Sequence, residues 1–188
     1  MSAFIGIDLG TTYSAVSYID DTGRSKIVHN SAGSNVTPSC IDFSGGKAEV
    51  GEEARKSLGM SDTIAARFKR DMGSTTTTYN IEGNEHTPTD CSAIVLKKLL
   101  QDTKEAIGEV GEAVVTIPAN FANEARNATM TAAKQAGLDV KYIINEPTAA
   151  ALYYAFQSGD GLHGHYAVYD LGGGTFDVTI LKVEGQDI

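Results

Sequence analysis

Apolar and polar positions alternate through the first thirty residues. Apolar residues lead from Phe4 through Ile5 and Ile7 into Asp8, Gly10 interrupts them, and alternation resumes at Ala15, Val16, Tyr18 and Ile19. This pattern predicts a strand, a tight turn and a second strand. Asp20-Asp21-Thr22-Gly23 predicts another turn, and Ser25 to His29 a third strand. The chain therefore opens as an antiparallel meander.

The pattern then loosens. Ser31 to Gly46 reads as loop, with Thr37-Pro38-Ser39 leading into the extended run Cys40 to Phe43. Glu52 to Leu58 predicts a short helix stopped by Gly59, and the Ser74 to Thr78 run a loop or exposed strand. A longer helix begins at a Thr89 or Asp90 cap and runs to about Ile107. Ile94, Val95, Leu96, Leu99, Leu100 and Ile107 form its apolar stripe, while Lys97, Lys98, Asp102 and Glu105 read as its solvated face. Ala113 to Ile117 predicts a buried strand ended by Pro118. A helix follows from Asn123 to Gln135, with Gly137 as its stop. Val140 to Ile144 predicts another buried strand. Asn145 then caps a helix with Glu146 and Pro147 in its first turn, and its alanines suit close packing. Gly159 to Gly164 reads as a linker carrying a solvated His163, and a hairpin from Tyr166 to Val183 follows.

Composition narrows the function classes. The chain has 188 residues, is 41% hydrophobic and carries a net charge of −9, with a pI of about 4.8. That length suits one globular domain or slightly more. The acidic surface repels nucleic acid and anionic membranes, so neither is an expected partner. No secretory signal or membrane-length apolar run is present. Cys40 and Cys91 lie in unrelated surroundings without metal spacing, which favours free thiols and a cytoplasmic protein.

The candidate chemistry lies in two glycine turns. Tyr169-Asp170-Leu171-Gly172-Gly173-Gly174-Thr175-Phe176-Asp177 joins the two strands of the last hairpin. Without Cβ atoms, successive glycines let backbone N–H groups approach an anion, and Asp170 and Asp177 can hold a cation beside it. Such a stretch can equally be only a turn. The opening stretch, Ile7-Asp8-Leu9-Gly10-Thr11-Thr12, repeats the device a domain's length earlier. Two such hairpins facing across a cleft would grip a polyphosphate, with Asp carboxylates ordering the water shell of Mg²⁺. Lys69 and Arg70, from their local sequence, read as a solvated basic pair.

Five stretches in order give the chain its resemblance: Ile7 to Ser14, Phe68-Lys69-Arg70, Ile117 to Phe121, Ile144 to Ala151, and Asp170 to Asp177. Together they resemble the nucleotide-binding domain of the 70-kDa heat-shock chaperones of DnaK type, within the actin-like ATPase superfamily. The resemblance implies an α/β, ribonuclease H-like lobe with a mixed five-stranded sheet and flanking helices. That lobe would span residues 1–164, with a small inserted subdomain at about 31–110, and 165–188 would open a second lobe. It also implies ATP or ADP with Mg²⁺, K⁺ as a further cation, and hydrolysis of ATP.

By the same resemblance, Asp8 and Asp170 would order the metal's water shell, and Asp177 would serve a monovalent cation or that shell. Gly10, Thr11, Thr12 and Tyr13 would bind the β- and γ-phosphates from one side, and Gly172, Gly173 and Gly174 from the other. Thr175 would lie near the γ-phosphate. Lys69 would point at that phosphate, Glu146 would orient water, and Pro118 and Arg126 would relay nucleotide state to a peptide-binding domain. Implied partners are unfolded client peptides, a J-domain co-chaperone and a nucleotide exchange factor.

Three departures accompany the resemblance. The stretch from Lys69 to Pro118 is short, as in the bacterial HscC-like branch. Asp71-Met72 follows the Lys-Arg pair, and Asn123-Glu124-Ala125 precedes Arg126; both bear on interdomain coupling. The chain is also expected to be an N-terminal piece, with little ATP turnover of its own and a poorly supported last hairpin. An actin-like filament protein is the alternative reading, and a sugar kinase a third.

Overall fold

The computed structural model describes residues 2–158, 163–173 and 176–184. The predicted meander is its first feature: β1 (Ala3–Asp8), β2 (Tyr13–Ile19) and β3 (Ser25–Ile27) pair antiparallel in sequence order. Three short strands follow, β4 (Thr37–Pro38), β5 (Cys40–Asp42) and β6 (Glu49–Val50), then α1 (Glu52–Lys56) and β7 (Ile64–Ala66). A 3₁₀ turn, Phe68–Asp71, and a small hairpin, β8 (Tyr79–Ile81) with β9 (Asn84–His86), lead into α2 (Pro88–Ile107). The rest alternates: β10 (Val110–Ile117), α3 (Asn123–Gln135), β11 (Asp139–Asn145), α4 (Glu146–Ser158), and the hairpin β12 (His163–Leu171) and β13 (Phe176–Glu184).

The main sheet runs β11-β10-β1-β2-β3, with β4 added beside β2, so six strands take part. The pairs β1–β10 and β10–β11 are parallel and the others antiparallel. The mixed α/β sheet with flanking helices is therefore as expected. β1 explains its own placement: Ile5 and Ile7 are buried on one face while Phe4 is exposed on the other, the period-two pattern of a half-buried strand. The apolar stripe of α2 packs against β2 and β10 and against α3. Val95, Leu96 and Leu99 enter one core with Ile5, Ile7, Val115 and Phe68. The β10–α3–β11 connection returns to a parallel neighbour, as a βαβ crossover requires.

Several local expectations are corrected. Thr87, not Thr89 or Asp90, caps α2: its side chain accepts from the Asp90 amide and the Asp90 carboxylate accepts from the Thr87 amide. Pro88 then sits at the first helical position, where its missing N–H costs nothing. β10 begins at Val110, earlier than predicted. β11 is not a buried strand; it is an edge of the described sheet, and Tyr142 is exposed. In α4 only Pro147 and Ala151 are buried. His163 belongs to β12, not to the linker, and is exposed. On α2, Asp102 is only 4% exposed, so it does not belong to a solvated face.

Both cysteines are free and buried. Burial pushes the Cys91 thiol up to about 12 and raises that of Cys40, which leaves them unreactive. Among the described residues no helix is long and apolar enough to cross a membrane.

Candidate functional site

Parallel strands β1, β10 and β11 end on the same edge of the sheet. β1 ends at Asp8, β10 ends with Thr116 and Ile117, and β11 hands over at Asn145 to Glu146, the first residue of α4. The ladder sets these ends side by side, Ile7 opposite Val115 and Ile117 opposite Asn145. Thr116 Oγ1 donates to Asp8 Oδ1 at 3.0 Å, across 108 residues of sequence. In open α/β sheets the carboxyl ends of parallel strands are where ligands bind. Here they border a cleft of about 850 Å³.

The first glycine turn forms one wall. Gly10 N donates to Ser14 Oγ at 3.1 Å, and Ser39 Oγ donates to Gly10 O at 2.8 Å. The Ser39 amide donates to Thr12 O at 2.9 Å. β4 thus holds the turn from behind, through the Ser14–Thr37 and Tyr13–Pro38 pairs. A Cβ on Gly10 would lie 2.0 Å from the Tyr13 carbonyl oxygen, so only glycine fits this turn.

The second glycine turn faces the first. Gly172, Gly173, Asp170 and Asp177 line the same cleft as Gly10, Thr11, Thr12 and Tyr13. A Cβ on Gly173 would lie 2.7 Å from Thr12 Oγ1. The two turns, read from sequence as a repeated device, are in direct contact. Asp170 and Asp177 stand directly opposite each other in the β12–β13 ladder, where like charges repel. Gly174 and Thr175 lie outside the described residues.

Lys69 departs from its local reading. Phe68 is 1% exposed and anchors the 3₁₀ turn; Lys69 beside it is 5% exposed, whereas Arg70 is exposed. The turn is entered through Arg67 in the left-handed region, at φ 61°, a strained conformation for a residue other than glycine. Lys69 Nζ lies 2.5 Å from Glu146 Oε1 and 6.0 Å from the centre of the Phe121 ring. Glu146 holds its proton more tightly than an ordinary glutamate. Burial is the main cause; the Lys69 charge opposes it, and the charges of Asp8 and Asp170 add to it.

These carboxylates bear on the implied metal. Among the described residues, no group of three or more His, Cys, Asp or Glu stands together to hold an ion directly. Asp8, Asp170 and Asp177 therefore do not form a direct ligand cluster. Asp8 and Asp170 nevertheless lie close enough for their charges to act on Glu146, and one cation in the cleft would relieve all three. The donor set suits a small hard ion that keeps its waters, as Mg²⁺ does.

The two implied relay residues take separate places near the site. Arg126, on α3, donates from Nη2 to Asn145 Oδ1 at 2.8 Å, immediately before Glu146. Pro118 follows β10 and lines the cleft.

Sequence reasoning missed the burial of Lys69, because its partner Glu146 lies 77 residues away. It missed Ser39 as well; the signal for that residue was its place after a Thr-Pro pair entering a strand.

The family described as Hsp70 protein matches residues 4–186, nearly the whole chain, and its match includes both glycine turns and the strands that bring them together. The chain belongs to the Hsp70 family and carries the nucleotide-binding fold of those chaperones.

Proposed function

We propose that this chain binds the phosphates of ATP between its two glycine turns and supports hydrolysis of the terminal phosphate, so as to control peptide binding elsewhere in an Hsp70 chaperone. The observation that carries the reading is the contact of Gly173 with Thr12 at the mouth of a cleft holding the buried Lys69–Glu146 pair. Backbone amides of Thr11 to Tyr13 and of Gly172 and Gly173 supply donors to the β- and γ-phosphates, while the Gly10 amide, held by Ser14 Oγ, shapes the turn that presents them. Gly174 and Thr175 complete the second turn in this reading.

Phosphoryl transfer needs positioning and charge stabilisation more than covalent chemistry. Lys69 is suited to that work: it is already desolvated and fixed, so its charge acts on a phosphate oxygen without reorganising. An incoming phosphate shares the ammonium with Glu146. The carboxylate thus freed orients the attacking water and accepts its hydrogen bond. Asp8 and Asp170 would hold Mg²⁺ through its water shell, and that ion would neutralise phosphate charge. Asp177 would hold K⁺ or belong to the same shell.

We read residues 1–164 as one lobe, about 31–110 as its inserted subdomain, and 165–188 as the opening of a second. The short insert favours the HscC-like branch, and we also read a cytoplasmic setting with client peptides, a J-domain co-chaperone and an exchange factor, a reading that family membership supports for chaperone partners in general. Membership of that family takes precedence over the filament and sugar-kinase readings. The test is single-turnover hydrolysis in the protein carrying this chain. Lys69→Ala is expected to bind ATP and fail to cleave it; cleavage at the wild-type rate would end the proposal.

A further inference from the structure

Behind the first glycine turn, away from the cleft, lies a cavity of about 10 Å³. It is bordered by Ser14 and Thr37 on the turn's side and by Asp102 on α2. Asp102 is 4% exposed, and its Oδ1 accepts from Lys98 Nζ at 2.5 Å. Its Oδ2 has no hydrogen-bond partner among the described residues. A buried carboxylate oxygen left in that state is costly.

The neighbouring hydroxyls show complementary gaps. Ser39 spends its proton on Gly10 O, so Ser14 must donate to Ser39 Oγ, at 2.9 Å. Ser14 Oγ meanwhile accepts from the Gly10 amide, and one lone pair is left. Thr37, 3% exposed, accepts from Asn30 Nδ2 at 3.1 Å, and its own hydroxyl proton has no acceptor among the described residues. The residues around the cavity thus hold one spare donor, Thr37 O–H, and two spare acceptors, Asp102 Oδ2 and Ser14 Oγ. A water molecule needs roughly 10–15 Å³ and about three partners. Asp102 is already paired with an ammonium, so a second cation would leave excess positive charge there.

We infer that this cavity holds one ordered water, which accepts from Thr37 and donates to Asp102 Oδ2 and Ser14 Oγ. Asp102 is thereby a positioning residue for the Gly10 turn, acting from α2 through the water and Ser14. The inference stands apart from the nucleotide reading, since neither readout below requires nucleotide.

A crystal structure of the chain at about 1.5 Å resolution is expected to show a water within hydrogen-bond distance of all three oxygens. A Na⁺ or K⁺ refined there, or a side chain reaching Asp102 Oδ2, would overturn the inference. In solution, amide hydrogen exchange at Gly10 reads the turn, and exchange at Ile5 and Ile7 reads global stability. Asp102→Leu removes the acceptor and is expected to speed Gly10 exchange about tenfold relative to those core amides, as for one lost hydrogen bond. Asp102→Asn can donate to the same water, so it should restore Gly10 protection to near wild type. Thr37→Val, close in shape, removes the water's donor and should reproduce the loss even if Asp102→Leu does not fold. Equal acceleration at Gly10, Ile5 and Ile7 in these variants, or none at Gly10, would show that Asp102 does not position the turn.

Discussion

Lys69 Nζ and Glu146 Oε1 form an ion pair across 77 residues of sequence, with the lysine side chain 6% and the glutamate side chain 20% exposed. The pair joins the 3₁₀ turn to the first residue of α4. A buried ammonium with a single carboxylate partner among the described residues is poised to take a second anion. In the protein carrying this chain, Lys69→Ala is expected to slow single-turnover ATP cleavage about 10²- to 10³-fold, the usual effect of losing one fixed charge-stabilising group. ATP affinity should change far less, which separate binding titrations would show.

The same pair sets a pH dependence. Glu146 holds its proton above the ordinary glutamate value of 4.5, chiefly through burial. The folded chain therefore binds more protons than the unfolded chain just above that value, and its contribution to stability is lost as pH rises through the folded pKa. Lys69 opposes the shift, so Lys69→Ala should enlarge it. Urea unfolding of the Lys69→Ala chain between pH 4.5 and 7.5 should show stability falling more steeply with pH than in wild type. Adding Glu146→Gln to that variant should flatten the profile.

Much of this site was legible in the sequence, and the exceptions have physical causes. The two glycine turns carry their chemistry locally, in the spacing of Asp, Gly and Thr, so their meeting was foreseeable. Lys69 was not legible, because burial of a lysine depends on a partner far along the chain. Asp102 could have been caught: it lies three residues after Leu99 and seven after Val95, on the buried stripe of α2, and its polarity hid that position. The Thr87 cap was announced by Pro88. β11 was read as buried and α4 as suited to close packing, from apolar and small residues alone, yet burial depends on what packs against an element. Tyr142, Tyr153 and Phe156 all remain exposed.

Asp170 and Asp177 oppose each other in the hairpin ladder. Without divalent cations, Asp177→Asn should stabilise the hairpin by about 0.2–1 kcal/mol by removing a cross-strand repulsion. Amide exchange across β12 and β13 would measure it. Mg²⁺ should narrow the difference between variant and wild type, and EDTA should restore it.

The glycines differ in how far they can be rescued. Gly173→Ala places a methyl against the Thr12 side chain, and overpacking of this kind costs roughly 1–3 kcal/mol. Pairing it with Thr12→Gly should recover most of the loss in thermal unfolding. Gly10→Ala meets the Tyr13 backbone instead, so no side-chain change at a neighbour should recover it.

Arg126 bonds the side chain of Asn145, the residue before Glu146. If that bond links α3 to the edge proposed to bind nucleotide, Asn145→Ala and Arg126→Ala should weaken nucleotide-driven peptide release alike. The double variant should be no worse than either single one. A double-mutant cycle on release rates would show additive losses if the two residues act independently.

Asp8 and Thr116 belong to adjacent strand ends stitched by ladder bonds, and Glu146 directly follows the end of the next strand, so none can shift without dragging the sheet. The facing turn hangs on a two-stranded hairpin outside that ladder. Among the described residues the two walls of the cleft therefore belong to separate sheets, and a substitution that disturbs the ladder of one leaves the ladder of the other in place.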